Sequence, residues 1–212
     1  MARTRVKICG ITEEEGLFAA AESGADAVGF VFHAKSRRFI EPEDALELTM
    51  FLPPFVSTVG LLVNPTVKQV RAVEEVCAPT WTQFHGQESE DIVRECGPGI
   101  IKAIQFDAAT IEQQLKRWNQ VDEVDAILVD GSAGGEGQSF DWAKLSAVAD
   151  DITKPLILAG GLTPENVGEA IRIVRPFGVD VSSGVERAPG EKDAELIEAF
   201  CRAVQRADLE LE

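Results

Sequence analysis

Again and again along its 212 residues the chain repeats one pattern: a short apolar run, a turn rich in glycine or polar residues, then a segment of helical period. Runs this short and this apolar read as strands buried on both faces, and such strands belong to parallel sheets covered by helices. The expected strands are Arg5–Cys9, Ala27–Phe32, Ser57–Val63, Trp81–Phe84, Ile100–Ile104, Ala126–Asp130, Pro155–Ala159 and Val179–Val181. The expected helices are Glu13–Ser23, Glu41–Phe51, Thr66–Val76, Ser89–Cys96, Ala109–Asn119, Trp142–Val148, Pro164–Val174 and Asp193–Arg206. Thr12, with Glu15 three residues on, reads as a capping box for the first helix, and Gly24 as its stop. Pro42 suits the first turn of the second helix.

Eight strand–helix units of ~25 residues predict a single (β/α)8 barrel over residues 1–212, at the small end of that fold's range. The competitor is an open, doubly wound sheet with the same element count. Against it, no GxGxxG follows the first strand. The glycine-rich turns fall instead after strands seven and eight, where barrels hold phosphate.

Charge excludes some partners. There are 36 acids against 20 bases, a formal net charge of −16. A polyanion is repelled by nucleic acid and by anionic membranes, so neither is expected as a partner. The acids cluster on presumed helix faces, at Glu13–Glu15, Glu41–Glu47 and Asp193–Glu198, as on a solvated surface. The same excess fits adaptation to high salt, where screening removes self-repulsion. No apolar run approaches the ~20 residues of a bilayer span, and Arg3 and Arg5 lead straight into a strand, so a cytoplasmic protein is expected. The four cysteines form no CxxC pair, and with two histidines the chain has no zinc-site spacing. Free thiols are expected, with Cys77, Cys96 and Cys201 packed as small hydrophobes.

The clearest chemical signal is a pair of turns: Ala159-Gly160-Gly161-Leu162 after strand seven, and Asp180-Val181-Ser182-Ser183-Gly184-Val185 after strand eight. Glycines there let successive N–H groups point at an anion, serines add hydroxyl donors, and a short helix after Ser183-Gly184 would add its positive end. A third cluster, Gly134-Gly135-Glu136-Gly137, follows strand six. The expected ligand is a small phosphorylated molecule. Among residues at the carboxyl ends of strands, Cys9 and Asp130 are titratable. Strands one and six flank the seven–eight pair in a closed barrel, so a sugar anchored by its phosphate lies between them. An acid on one side and a base on the other suit an aldose-to-ketose isomerisation. A thiol acts as a base only when ionised, and Lys7 shares the inward parity of Cys9, so its charge is expected to lower the thiol. Arg38, after strand two, suits a substrate carboxylate. His85, at the top of strand four, either lines the pocket or caps a turn. Asp180 either meets substrate or pairs with Lys7 inside the barrel.

Several segments together resemble the phosphoribosylanthranilate isomerase family. They are Lys7-Ile8-Cys9-Gly10-Ile11-Thr12, Gly24 to Phe32, Ser36-Arg37-Arg38-Phe39, Gln83-Phe84-His85-Gly86 and Phe140-Asp141-Trp142. Ala159 to Leu162, Pro164-Glu165-Asn166-Val167 and Asp180 to Glu186 complete the set, in order along nearly the whole chain. The resemblance implies a (β/α)8 barrel that performs an Amadori rearrangement without cofactor or metal. It makes Asp130 the general acid, Cys9 the general base and Arg38 the carboxylate holder. Beside these, the glycine-rich turns and strand ends make His85, Gly135, Gly160, Gly161, Asp180, Ser182, Ser183 and Gly184 the expected substrate contacts. The strand-six loop departs from the family pattern, with Glu136 where a small hydroxyl residue is common and Gln138 where lysine is common. A Schiff-base aldolase using Lys7 or Lys102, and a non-catalytic phosphate-binding barrel, are the rival readings. Both monomer and homodimer fit the sequence.

Overall fold

The computed structural model describes residues 3–131 and 140–211. Eight parallel strands close into a barrel in chain order: β1 (Arg5–Cys9), β2 (Ala27–Val31), β3 (Ser57–Leu62), β4 (Trp81–Phe84), β5 (Ile100–Gln105), β6 (Val124–Asp130), β7 (Leu156–Leu158) and β8 (Gly178–Val181). Closure is made by β8 pairing with β1, with Lys7 opposite Asp180. The open-sheet alternative is thereby ruled out. Among the described residues eight helices form the outer layer: α1 (Glu14–Glu22), α2 (Pro42–Thr49), α3 (Val67–Cys77), α4 (Glu90–Cys96), α5 (Ile111–Asn119), α6 (Trp142–Ala149), α7 (Val167–Val174) and α8 (Ala194–Glu210). A single 3-10 turn, Ser183–Val185, and a hairpin of β9 (Glu186–Ala188) and β10 (Glu191–Lys192) separate β8 from α8.

Strand parity divides the side chains into two populations. Inward residues, including Val59, Ile101, Ala103, Ala126, Leu128, Ile157 and Ala159, pack with each other inside the barrel. Outward residues such as Ile8, Val28, Phe30, Ile100 and Ile127 join the inner faces of the helices, among them Leu17, Val70, Leu115, Trp118 and Phe200, in one larger core. Burying each such large side chain contributes about 1.5–3 kcal/mol. Cys9, Val31 and Leu61 form a small apolar group near the barrel mouth. The barrel interior is therefore filled, and the space for a ligand lies above it.

The expected elements are all present, with ends shifted by a few residues. The capping box at Thr12 is not. Glu13 is the N-cap of α1 and makes no side-chain cap bond. The Thr12 hydroxyl instead donates to the Gly190 carbonyl, 3.2 Å away in the β9–β10 turn. A tertiary acceptor has captured the group that local sequence assigned to the helix. Thr66 does form a full capping box with Gln69, at the start of α3. Gly24 lies just past α1 with φ +84°, as a stop requires. All four cysteines are buried free thiols, and burial pushes Cys77 and Cys201 up to about 11. No helix among the described residues is long and apolar enough to cross a membrane.

Candidate active site

A cavity of about 1500 Å³ opens at the carboxyl ends of the strands. Cys9, Arg38, His85, Asp130, Gly160, Gly161, Asp180, Ser182, Ser183 and Gly184 all line it. Residue Gly135, with the rest of Gly134–Gly137, lies outside the described residues.

Cys9 ends β1 and Asp130 ends β6. The order β6-β7-β8-β1 puts them on either side of the glycine turns. Gly160 and Gly161 have φ of +87° and +64°, two successive left-handed residues that an L side chain would strain. A methyl group on Gly160 would run into the Gly131 backbone, and one on Gly184 into the Leu162 carbonyl. The turns after β7 and β8 are thus packed backbone to backbone. Asn166 braces the first of them, accepting from Thr163 N and donating to Gly161 O, both at 2.8 Å. Ser182 ties the second to the base of the site by donating to the Cys9 carbonyl at 3.0 Å. The 3-10 turn starts at Ser183 itself. Backbone donors of this kind suit a phosphate in a chain whose net charge would repel one.

Asp130 is held by His85, whose Nε2 lies 3.1 Å from Oδ2. The other ring nitrogen, Nδ1, lies 2.9 Å from Nε2 of the fully buried Gln83. With the amide donating to Nδ1, Nε2 carries the ring proton and donates to Asp130 Oδ2. His85 therefore belongs to the pocket and does not cap a turn.

Lys7 and Asp180 form a buried ion pair at 2.9 Å, the second of the two arrangements open to Asp180 in the sequence. Asp180 still lines the cavity. Burial would lower the Lys7 ammonium, but Asp180 and Cys9 outweigh it and hold it above its ordinary value. For the Cys9 thiol, burial acts upward, Lys7 downward, Asp180 upward and Lys192 downward, and the thiol ends above its usual range. Lys7 thus has the expected sign, but it does not produce the expected depressed thiol. Desolvation of a fully buried group is the larger effect.

Arg38 reaches the cavity, but its guanidinium fork already grips Glu186, with Nε to Oε1 at 2.7 Å and Nη2 to Oε2 at 2.8 Å. Glu186 also accepts from Lys192 Nζ at 2.8 Å. Burial would raise the Glu186 carboxyl; the two cations overcome this and hold it below the carboxylate range.

A protein-family model described as N-(5'phosphoribosyl)anthranilate (PRA) isomerase matches residues 6–203. The chain belongs to this family. The phosphoribosylanthranilate isomerase of Pseudomonas putida (strain GB-1) is 46% identical over 212 residues, covering 98% of this chain and 100% of that one. The crystal structure of the isomerase from Thermotoga maritima superposes with a TM-score of 0.85 at 42% identity, over 96% of this chain and 99% of that chain. A family structure in complex with reduced 1-(o-carboxyphenylamino)-1-deoxyribulose 5-phosphate gives 0.83 at 42% identity, with the same coverage.

Within this phosphoribosylanthranilate isomerase fold, sequence reasoning did not find the supporting roles of five side chains. Gln83 shares the inward parity of His85, and a buried amide at that register was a readable signal. Glu88 and Lys102 form a buried ion pair at 2.8 Å. Lys102 Nζ also donates to the carbonyls of Phe84, Gly86 and Ala103, and Glu88 accepts from Gly86 N and Asn64 N. Together they clamp the turn that carries His85. Glu186 ends a motif that gives it no partner, and Lys192 lies outside every motif in the sequence. Their meeting depends on the path of the β9–β10 hairpin, which no local pattern encodes.

Proposed function

We infer that this chain catalyses the Amadori rearrangement of N-(5'-phosphoribosyl)anthranilate to 1-(o-carboxyphenylamino)-1-deoxyribulose 5-phosphate, a step of tryptophan biosynthesis, with Asp130 as acid and Cys9 as base. The observation that carries the assignment of roles is the placement of a carboxyl group and a thiol on opposite flanks of one backbone cradle. The phosphate sits against Gly160, Gly161, Ser182, Ser183 and Gly184. Asp130 gives a proton to the ribose ring oxygen, the C1′–oxygen bond breaks, and the nitrogen lone pair forms a Schiff base. Cys9 as thiolate removes the C2′ proton, and the electron pair returns to nitrogen through an enolamine. Tautomerisation to the ketone then moves the enol proton from oxygen to C1′, and Cys9 releases its proton to solvent while Asp130 takes one back, so atoms and charge balance. His85 keeps the Asp130 carboxyl aimed at the ring. Arg38 meets the anthranilate carboxylate, and Asp180 holds Lys7 beside Cys9. The protein works in the cytoplasm on this small phosphorylated substrate.

Neither rival reading has a comparable observation behind it. A Schiff-base aldolase needs an available amine, whereas Lys7 is bound to Asp180 and Lys102 to Glu88 and three carbonyls. Incubation with substrate should abolish the fluorescence of phosphoribosylanthranilate, and borohydride should leave no substrate attached to the protein. Covalent trapping on Lys7 or Lys102, or binding without turnover, would contradict the isomerase chemistry.

A further inference from the structure

Arg38 presents a puzzle of charge. Its fork is closed on Glu186, and a closed guanidinium–carboxylate pair is electrically neutral. A substrate carboxylate approaching that pair meets one attractive and one repulsive group. Behind Glu186, however, stands Lys192, whose side chain is 0% exposed. Its Nζ donates to Glu186 Oε1 at 2.8 Å and to the Ser182 carbonyl at 3.0 Å, the directed contacts of an ammonium. Its stem lies on Gly16 of α1, where a Cβ would come 3.0 Å from Lys192 Cβ and Cγ. Glu186 is itself only 3% exposed, so the three charges interact with little solvent between them. Two cations and one anion leave this corner with a surplus positive charge, and Arg38, its stem packed over Gly10, presents that corner to the cavity it lines.

We propose that Lys192 is a specificity-determining positioning residue: from behind Glu186 it offsets the carboxylate that grips Arg38, and so makes Arg38 a site for a substrate carboxylate. The proposal rests on the reading that Arg38 faces the anthranilate carboxylate. It assigns selectivity to a side chain that touches neither substrate nor reacting atoms.

The test compares kcat/KM for N-(5'-phosphoribosyl)anthranilate with that for the analogue lacking the carboxylate, N-(5'-phosphoribosyl)aniline. The ratio of the two cancels any effect of a variant on the shared chemistry, including the effect of the Lys192 charge on Cys9. In Lys192→Met, which keeps the stem, the ratio should fall about tenfold, the size of one lost charge-assisted contact. Glu186→Gln should raise the ratio above wild type by unmasking Arg38. The double variant Glu186→Gln/Lys192→Met should return it close to the wild-type value. An unchanged ratio in folded Lys192→Met overturns the proposal. Should that variant fail to fold, a ratio in Glu186→Gln at or below wild type overturns it equally. Arg38→Met separates the two levels. If it leaves the ratio unchanged, the carboxylate reading of Arg38 fails. If it collapses the ratio while Lys192→Met does not, only the role of Lys192 fails.

Discussion

The Cys9 thiol is tuned by opposed forces. Burial and Asp180 disfavour its ionised form, Lys7 and Lys192 favour it, and the balance lies on the side of the neutral thiol. For a residue that must be ionised to act as a base, a raised value means that less of the resting enzyme is active at neutral pH. The rate kcat/KM should therefore climb with pH, and its limb should lie above the ordinary thiol range. Asp180→Asn removes an anion beside the thiol and should move that limb toward lower pH; a limb that stays fixed would separate Cys9 from the base step. At this scale the sequence marks the proposed reacting groups but not their balance. Cys9, Asp130 and Arg38 are marked by type and by position at strand ends. The partners that set their charge are remote: Arg38 and Glu186 are separated by 148 residues, Lys7 and Asp180 by 173.

The elements were legible because parity and period are local properties. Their ends were less so, and each miss has a cause. β6 begins at Val124, earlier than its apolar run, because exposed Asp125 breaks the run. Its carboxylate accepts from Gly99 N and Ile100 N at the foot of β5. α8 continues past Arg206 to Glu210 because Ala207 is buried and Asp208 accepts from both Thr4 N and its hydroxyl. The loops after β7 and β8 behave as one unit, since the Leu162 carbonyl fills the space where Gly184 would carry a side chain. Gly184→Ala must push these turns apart. It should cost about 1–3 kcal/mol of stability, as overpacking does, and should raise KM more than it lowers kcat. Thermal melts and steady-state kinetics on the one variant check both effects. A wild-type KM would mean that the β7–β8 turns do not hold the phosphate.

Across the whole molecule, a closed barrel with a filled interior places all chemistry at one end, and this consequence of the repeat could be read before any side chain was placed. The surface is a separate matter. A net charge of −16 on 212 residues repels itself at low ionic strength, and salt screens that repulsion within about 10 Å at 0.1 M and 3 Å at 1 M. The melting temperature should rise between millimolar and molar potassium chloride. Equal melts in both would remove the idea of adaptation to salt without touching the site.

In the proposed reaction Asp130 and Cys9 act on one sugar from opposite flanks of the barrel mouth. Turnover by Asp130→Asn tests it most directly, with affinity for the reduced product analogue measured on the same preparation. The expected loss in kcat is about 10²–10⁴, the usual worth of a positioned acid, with binding of the analogue changed only a few-fold. Turnover close to wild type in a variant that still binds the analogue would contradict it.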